Sequence, residues 1–282
     1  MNNPFSLLKH PIVESVSFVV FFLCLQLVAS SAVLLVCNAL SVAPASGTAV
    51  GAMQSPAQMV IALIVFNALA LVLFLGMRWS KVSGAYIKSR PWSVLIWSAV
   101  ASLGTLLPSM WIQEQMPELP AALKELTEQS EASMVALMQT RGGYAVICLL
   151  APLVEEIVFR GAVLRSLLSR SGYRPWVSIA ISAVLFALAH LNPAQMPHAF
   201  IVGLLLGWMY WRTGSIVPGV VLHWTNNTAA YLIFHAYPDP DIKLNQIFSG
   251  SDSSVLAAVF FSLLILLPSL YQLYLRMKPA NE

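Results

Sequence analysis

Charge is what this chain has least of. Only 10% of its 282 residues are Asp, Glu, Lys or Arg, against roughly 25% in ordinary globular chains. Between Glu14 and Arg78 there is no acidic or basic side chain at all, so that stretch has nothing to set against water. This scarcity excludes a soluble, disordered or collagen-like protein, and a net charge of +3 is too small for phosphate-driven binding of nucleic acid. Cysteine is scarce too. Cys24, Cys37 and Cys148 are odd in number, lack C-x-x-C spacing and lie inside apolar runs, which excludes a disulfide framework or zinc knuckle and leaves small apolar packing residues. There is no repeat of 20–50 residues and no low-complexity tract. Apolar side chains, by contrast, make up 58% of the chain. The expectation is an all-α, polytopic transmembrane helix bundle.

About 20 apolar residues cross a hydrocarbon core. On that rule the spans fall at 15–40, 57–77, 92–112, 143–164, 175–192, 198–211, 216–236 and 253–275, about eight, with seven the nearest alternative because the sixth is short. Gly203 and Gly207 within that sixth span form a small-xxx-small pair that lets a neighbouring helix approach closely. The first span is uncharged over some 26 residues, too long for the apolar region of a cleaved signal of about 7–15. With the N-terminus in the cytoplasm, the inner loops collect Lys9, Arg78, Lys81, Lys88, Arg90, Arg165, Arg170, Arg174, Arg212, Arg276 and Lys278. The outer loops hold Lys124, Arg141 and Lys243. Eleven against three is a positive-inside bias that requires an even number of spans and puts both termini in the cytoplasm. The inner (plasma) membrane is the expected location. Trp79, Trp92, Trp111, Trp176 and Trp211 stand near span ends, as interfacial anchors do. The hydrophilic segment 113–142 carries Leu119, Leu123, Leu126, Met134, Leu137 and Met138 in a rough helical stripe, which predicts an amphipathic helix on the outer surface.

Ionisable groups inside a span cost about 2.5–3.5 kcal/mol each on insertion scales. Even so, the fourth span holds Glu155, Glu156 and Arg160 in the string APLVEEIVFRGAVLRSLL. Glu156 and Arg160 are four apart, share a helix face and can pair. Glu155, turned about 100° from its neighbour, has no partner on its own helix and is the candidate general base. The fifth span ends FALAHLNP, with His190 one turn after Phe186. The seventh reads GVVLHWTNNTAAYL, with His223 and Asn227 on one face. Gathered in one interior, a glutamate and a histidine can hold and deprotonate a water, while a histidine and an amide donate to the oxyanion it creates. The set Glu155, His190 and His223 equally suits zinc with water as the open ligand, although H-E-x-x-H is absent. His198 and His235, near the outer surface, read as hydrogen-bonded to carbonyls, and Asn226 as facing away from Asn227.

These residues carry a resemblance. E-E-x-x-x-R (Glu155, Glu156, Arg160), F-x-x-x-H (Phe186, His190) and H-x-x-x-N (His223, Asn227) occur in order on separate helices. So arranged, the chain resembles the CPBP intramembrane proteases, which include the type II CAAX prenyl endopeptidases and bacteriocin-processing and immunity relatives. The resemblance covers about 143–236, including LLLGWMYWRTGSIVPGVVLHWTNN. It implies a CPBP-type catalytic core at 143–236, flanked by N-terminal spans with the amphipathic segment (1–142) and a C-terminal span (237–282). It further implies peptide-bond cleavage at membrane depth, in prenyl-protein members by removal of the last three residues of a CAAX terminus. Glu155 and His190 would then activate water, His223 and Asn227 stabilise the oxyanion, and Glu156, Arg160 and Phe186 brace the site. The mechanism is either a metal-free glutamate type or that of a zinc metalloprotease. The expected partners are the lipid bilayer and a protein or peptide substrate, with no nucleic acid. Two other readings compete. One is a non-catalytic scaffold or immunity protein of the same fold. The other is a proton-coupled transporter, against which stands the absence of a repeated half.

Overall fold

The computed structural model describes residues 10–40, 55–170, 172–239, 242–248 and 250–279. Lys9, which enters the charge distribution above, lies outside them. Every regular element among the described residues is helical. The main helices are α1 (Pro11–Leu40), α2 (Pro56–Gly76), α3 (Trp92–Glu114), α4 (Ala121–Met138), a composite rod α5, then α6 (Pro175–Ala189), α7 (Met196–Thr213), α8 (Val217–Ala236) and α9 (Asp252–Arg276). Single turns at Ala85–Lys88 and Leu244–Ile247 join them.

Four helices, α1, α2, α3 and α9, are long and apolar enough to cross a membrane. These are four of the eight expected spans. The 15 residues of α6 extend about 22 Å at 1.5 Å per residue, short of a hydrocarbon core of about 30 Å. The helices α5, α7 and α8 hold the charged and polar residues that lower hydropathy. The same four long helices leave most of their surface uncovered, with only 17% to 39% of their apolar windows buried. They turn an apolar exterior outward, while the polar helices fill the interior. Of the cysteines, Cys148 alone is buried, and Cys24 lies on the exposed face of α1.

Local sequence explains the starts of the apolar helices. Ser55 caps α2: its hydroxyl accepts from Gln58 N at 3.3 Å and its own N donates to Gln58 Oε1 at 2.8 Å, with Pro56 at the first helical position. Ser251 caps α9 by accepting from Ser254 N at 3.4 Å. The amphipathic segment forms α4, narrower than 113–142 because Gln113 and Glu114 complete α3. Of its apolar stripe, Leu137 is buried against Val60 and Val146, whereas Leu123 and Leu126 remain exposed.

Glycine sets the tightest packing of the core. A Cβ at Gly203 would stand 3.1 Å from Ala183 Cα, and one at Gly207 2.9 Å from Ile179 Cγ2. The small-xxx-small pair therefore brings α6 onto α7 as the spacing predicts.

The rod α5 departs from ordinary helix. It runs as π-helix over Ala145–Leu150, α-helix over Ala151–Glu155, π-helix over Glu156–Leu164 and α-helix over Arg165–Arg170. Widened turns of this kind concentrate at functional sites. Polar side chains from neighbouring segments support its carbonyls: Ser80 Oγ donates to Ile157 O at 2.7 Å, Ser182 Oγ to Phe159 O at 3.3 Å, and Ser15 Oγ to Val163 O at 3.3 Å. In an apolar surrounding each backbone oxygen needs such a partner, so three distant parts of the chain clamp one helix.

Candidate active site

Glu155 and Glu156 straddle the change from α- to π-helix in α5, and both carboxylates reach one imidazole. Glu155 Oε2 lies 3.7 Å from His223 Nε2, and Glu156 Oε1 lies 3.4 Å from His223 Nδ1. The sequence reading gave Glu155 a separate face and no partner on its own helix. The structure supplies a partner from α8.

The two carboxylates differ in access. Glu156 is fully buried and its Oε1 accepts from Arg160 Nη1 at 2.8 Å, the pair predicted from the four-residue spacing. Arg160, also buried, donates from Nη2 to Gly203 O at 3.3 Å and lies over the Phe186 ring at 4.5 Å. The Glu155 side chain keeps 22% of its surface accessible. One carboxylate is thus locked in the frame and the other can meet a solute.

Phe186 is the hub of the aromatic packing. Its ring meets those of His190 at 4.7 Å, His223 at 5.8 Å and Phe159 at 5.1 Å, all edge to face. His190 caps the C-terminus of α6, and its Nδ1 lies 2.8 Å from Phe186 O. A carbonyl only accepts, so the proton sits on Nδ1 and Nε2 is left as an acceptor. His223 is placed differently, for both of its nitrogens face carboxylate oxygens at ion-pair distance and Nδ1 makes no hydrogen bond within the protein. Among the described residues the ion-pair partner of Glu155 is His223, and His190 lies beyond that distance.

Asn227 donates from Nδ2 to Ile147 O at 3.0 Å, tying α8 to the first π-helical stretch. Its neighbour was underread. Asn226 is buried, and its Nδ2 lies 3.2 Å from Nε2 of His198 on α7. His198 therefore meets an amide where a carbonyl was expected, and His190 and His223 are near enough to act on it electrostatically. The available signal was that positions three and four after His223 share its face. His235 does meet a carbonyl, Tyr231 O at 2.9 Å. Glu155 Oε2, Glu156 Oε2, His223 Nδ1 and Asn226 Oδ1 are buried and make no hydrogen bond within the protein, the kind of convergent polar set that holds water.

Gly219, one turn before His223, is the second residue the sequence reading missed. A Cβ there would stand 2.7 Å from Glu156 Oε2 and 3.4 Å from Leu206 Cδ2. The carboxylate cannot swing clear, because Arg160 holds its other oxygen. Gly219→Ala is therefore expected to destabilise the protein by about 1–3 kcal/mol, the usual cost of overpacking, read as thermal unfolding in micelles. An unchanged melt would show that Glu156 is free to move.

The zinc alternative does not fit these side chains. Among the described residues no three His, Cys, Asp or Glu groups are placed to hold one ion, so Glu155, His190 and His223 do not form a ligand set. The cation beside Glu156 is the Arg160 guanidinium.

Residues 139–229 match the family profile described as Type II CAAX prenyl endopeptidase Rce1-like. An uncharacterized 24.3 kDa protein of Escherichia coli is 30% identical over 120 residues, 42% of this chain and 52% of that protein. The chain thus spans about half the length of this curated relative. No solved structure matches. The stretch holding the Glu155–Glu156–Arg160 group, both motif histidines and Asn227 falls inside 139–229, the residues over which the chain is similar to the Rce1-like type II CAAX prenyl endopeptidases.

Proposed function

We propose that this protein is an intramembrane endopeptidase, CAAX-protease-like, that hydrolyses a peptide bond in a membrane-associated protein with a water activated by Glu155 and His190. The observation that carries this reading is an accessible carboxylate facing one histidine, with a second histidine of different hydrogen-bonding character held on the same Phe186 ring. Glu155 retains 22% exposure and faces His223 at 3.7 Å, while the bond from His190 Nδ1 to Phe186 O leaves its Nε2 as an acceptor.

A water bound between Glu155 and His190 Nε2 has an acceptor for each of its protons. As its oxygen adds to the scissile carbonyl carbon, one proton passes to Glu155. The charge developing on the carbonyl oxygen is met by His223 and by the Asn227 amide hydrogen not engaged with Ile147 O. Collapse of the tetrahedral intermediate breaks the C–N bond, and the proton on Glu155 goes to the leaving nitrogen. Glu156 and Arg160 hold His223 from behind, and Phe186 keeps both rings at their angles.

The family name supplies the substrate class, a C-terminal CAAX sequence. In this reading residues 143–236 are the catalytic core. The segments 1–142 and 237–282 supply its apolar surround, and the shorter central helices also cross the membrane, giving about eight spans. The distribution of basic residues supports cytoplasmic termini in an inner (plasma) membrane.

The test needs no guessed client. Protein termini are compared between source cells carrying the wild-type chain and cells carrying Glu155→Ala at equal abundance. New termini confined to the wild type are expected, and their sequences name the clients and the cut site. Identical sets of termini would favour a scaffold of the same fold.

A further inference from the structure

Away from the catalytic group, α7 and α9 leave a groove between them of about 730 Å³, lined also by Trp176 of α6 and Thr105 of α3. Its walls are Leu204, Leu205 and Trp208 on one side and Leu266, Leu270 and Tyr271 on the other. Along α7 the lining runs from Ile201 to Arg212, about 16 Å at 1.5 Å per residue. That is close to half of a hydrocarbon core of about 30 Å, the depth of one leaflet.

The two ends of the groove differ in charge. At the Ile201 end the lining is apolar. At the other end Arg212 donates from Nη2 to Tyr274 O at 3.2 Å and Met277 O at 3.4 Å and lies 5.4 Å from the Tyr274 ring. These partners are a ring and neutral carbonyls, and no carboxylate pairs with Arg212 among the described residues. Arg276 ends α9 one residue before Met277 and bonds the neutral Gln272. Arg174 caps α6, whose Trp176 meets Trp211 at 6.0 Å. Arg212 and two interfacial tryptophans, Trp176 and Trp211, thus stand at the mouth of an apolar slot one leaflet deep.

We propose that this groove is a binding site for an anionic phospholipid, with one acyl chain lying between α7 and α9 and the phosphate against Arg212. The slot suits a hydrocarbon chain, and its mouth offers a guanidinium that pairs with no acid among the described residues. A guanidinium forms strong charge-assisted bonds to phosphate oxygens, and aromatic residues at that level mark head-group depth. The site is separate from the hydrolytic group and does not depend on it.

The test is lipid retention by the purified full-length protein, followed by native mass spectrometry with phosphatidylglycerol, phosphatidylcholine and diacylglycerol of identical chains. Wild type is expected to retain phosphatidylglycerol about fivefold over phosphatidylcholine, the preference that one basic residue at a membrane surface gives. Arg212→Gln should erase that preference and Arg212→Lys should keep it. Ile201→Trp, which fills the apolar end, should lower retention of all three lipids, with thermal unfolding checking each variant. If Arg212→Gln does not fold, the wild-type preference, Arg212→Lys and Ile201→Trp still decide. The proposal is overturned by equal retention of the two phospholipids, by diacylglycerol held as well as phosphatidylglycerol, or by glycerol phosphate competing fully. It is overturned equally if Ile201→Trp leaves phosphatidylglycerol retention unchanged, since surface charge alone would then account for binding.

Discussion

Glu155→Gln is expected to lower turnover by about 10²–10⁴-fold, the usual contribution of a positioned acid–base group, while leaving stability within about 0.5 kcal/mol, as for changes at sites that are not sealed. The amide has nearly the shape of the carboxylate but cannot take a proton from water. Glu156→Gln should show the reverse order of effects on stability. Glu156 is sealed and its Oε1 holds Arg160 Nη1 at 2.8 Å, so neutralising it leaves a buried guanidinium with no counter-ion, at a cost of about 3–5 kcal/mol. The check is to melt the two variants side by side in the same micelles and assay both on a client identified from its new terminus. If Glu155→Gln still cleaves, the proposed base is wrong. If it unfolds as readily as Glu156→Gln, Glu155 belongs to the frame rather than to the chemistry.

This division between two adjacent glutamates was only half legible in the sequence. The four-residue spacing of Glu156 and Arg160 was sufficient to predict their pairing, because an i, i+4 pair meets in an α-helix and these two meet here despite the π-helical turn. That both glutamates would reach His223 was not readable. It depends on a helix that changes hydrogen-bonding pattern between residues 155 and 156, and nothing in the apolar periodicity of APLVEEIVFRGAVL marks that change. The serines that support the widened turn, Ser15, Ser80 and Ser182, are each unremarkable in sequence and acquire meaning only once Val163, Ile157 and Phe159 are brought beside them.

The helical class and the separate helices for the three motifs followed from composition and spacing. Of the spans, four are helices long and apolar enough to cross on length and composition, while the central helices mix wholly buried polar groups with apolar ones. The pairing of Asn226 with His198 escaped for a related reason. On α8 both Asn226 and Asn227 lie on the His223 side, and only the neighbouring helices decide which amide goes where: α7 takes Asn226 and the π-helical Ala145–Leu150 takes Asn227.

Arg160→Met should be among the most destabilising single changes in the chain, at about 3–5 kcal/mol, and Glu156→Gln in the same molecule should recover most of that loss. Removing the guanidinium alone strands a carboxylate that is fully buried and whose Oε2 makes no hydrogen bond within the protein. Neutralising both partners removes two desolvation costs together, and a buried pair replaced by neutral groups of similar volume is often no less stable than the original. Methionine keeps the length and flexibility needed to fill the space over Phe186, where the guanidinium lies 4.5 Å from the ring centre. A double-mutant cycle on unfolding in micelles should therefore give a coupling of about 5–8 kcal/mol, above the usual range for residues in direct contact because each single variant strands a buried charge. Activity should not recover with stability. With glutamine at 156, His223 Nδ1 faces a neutral amide in place of the carboxylate now 3.4 Å away, so its donation to the oxyanion loses the charge behind it. A folded but slow double variant would confirm that the pair positions His223 as well as filling the core. A double variant as unstable as the sum of its parts would mean that the two charges are stabilised independently, and a fully active one would remove Glu156 from any part in the chemistry.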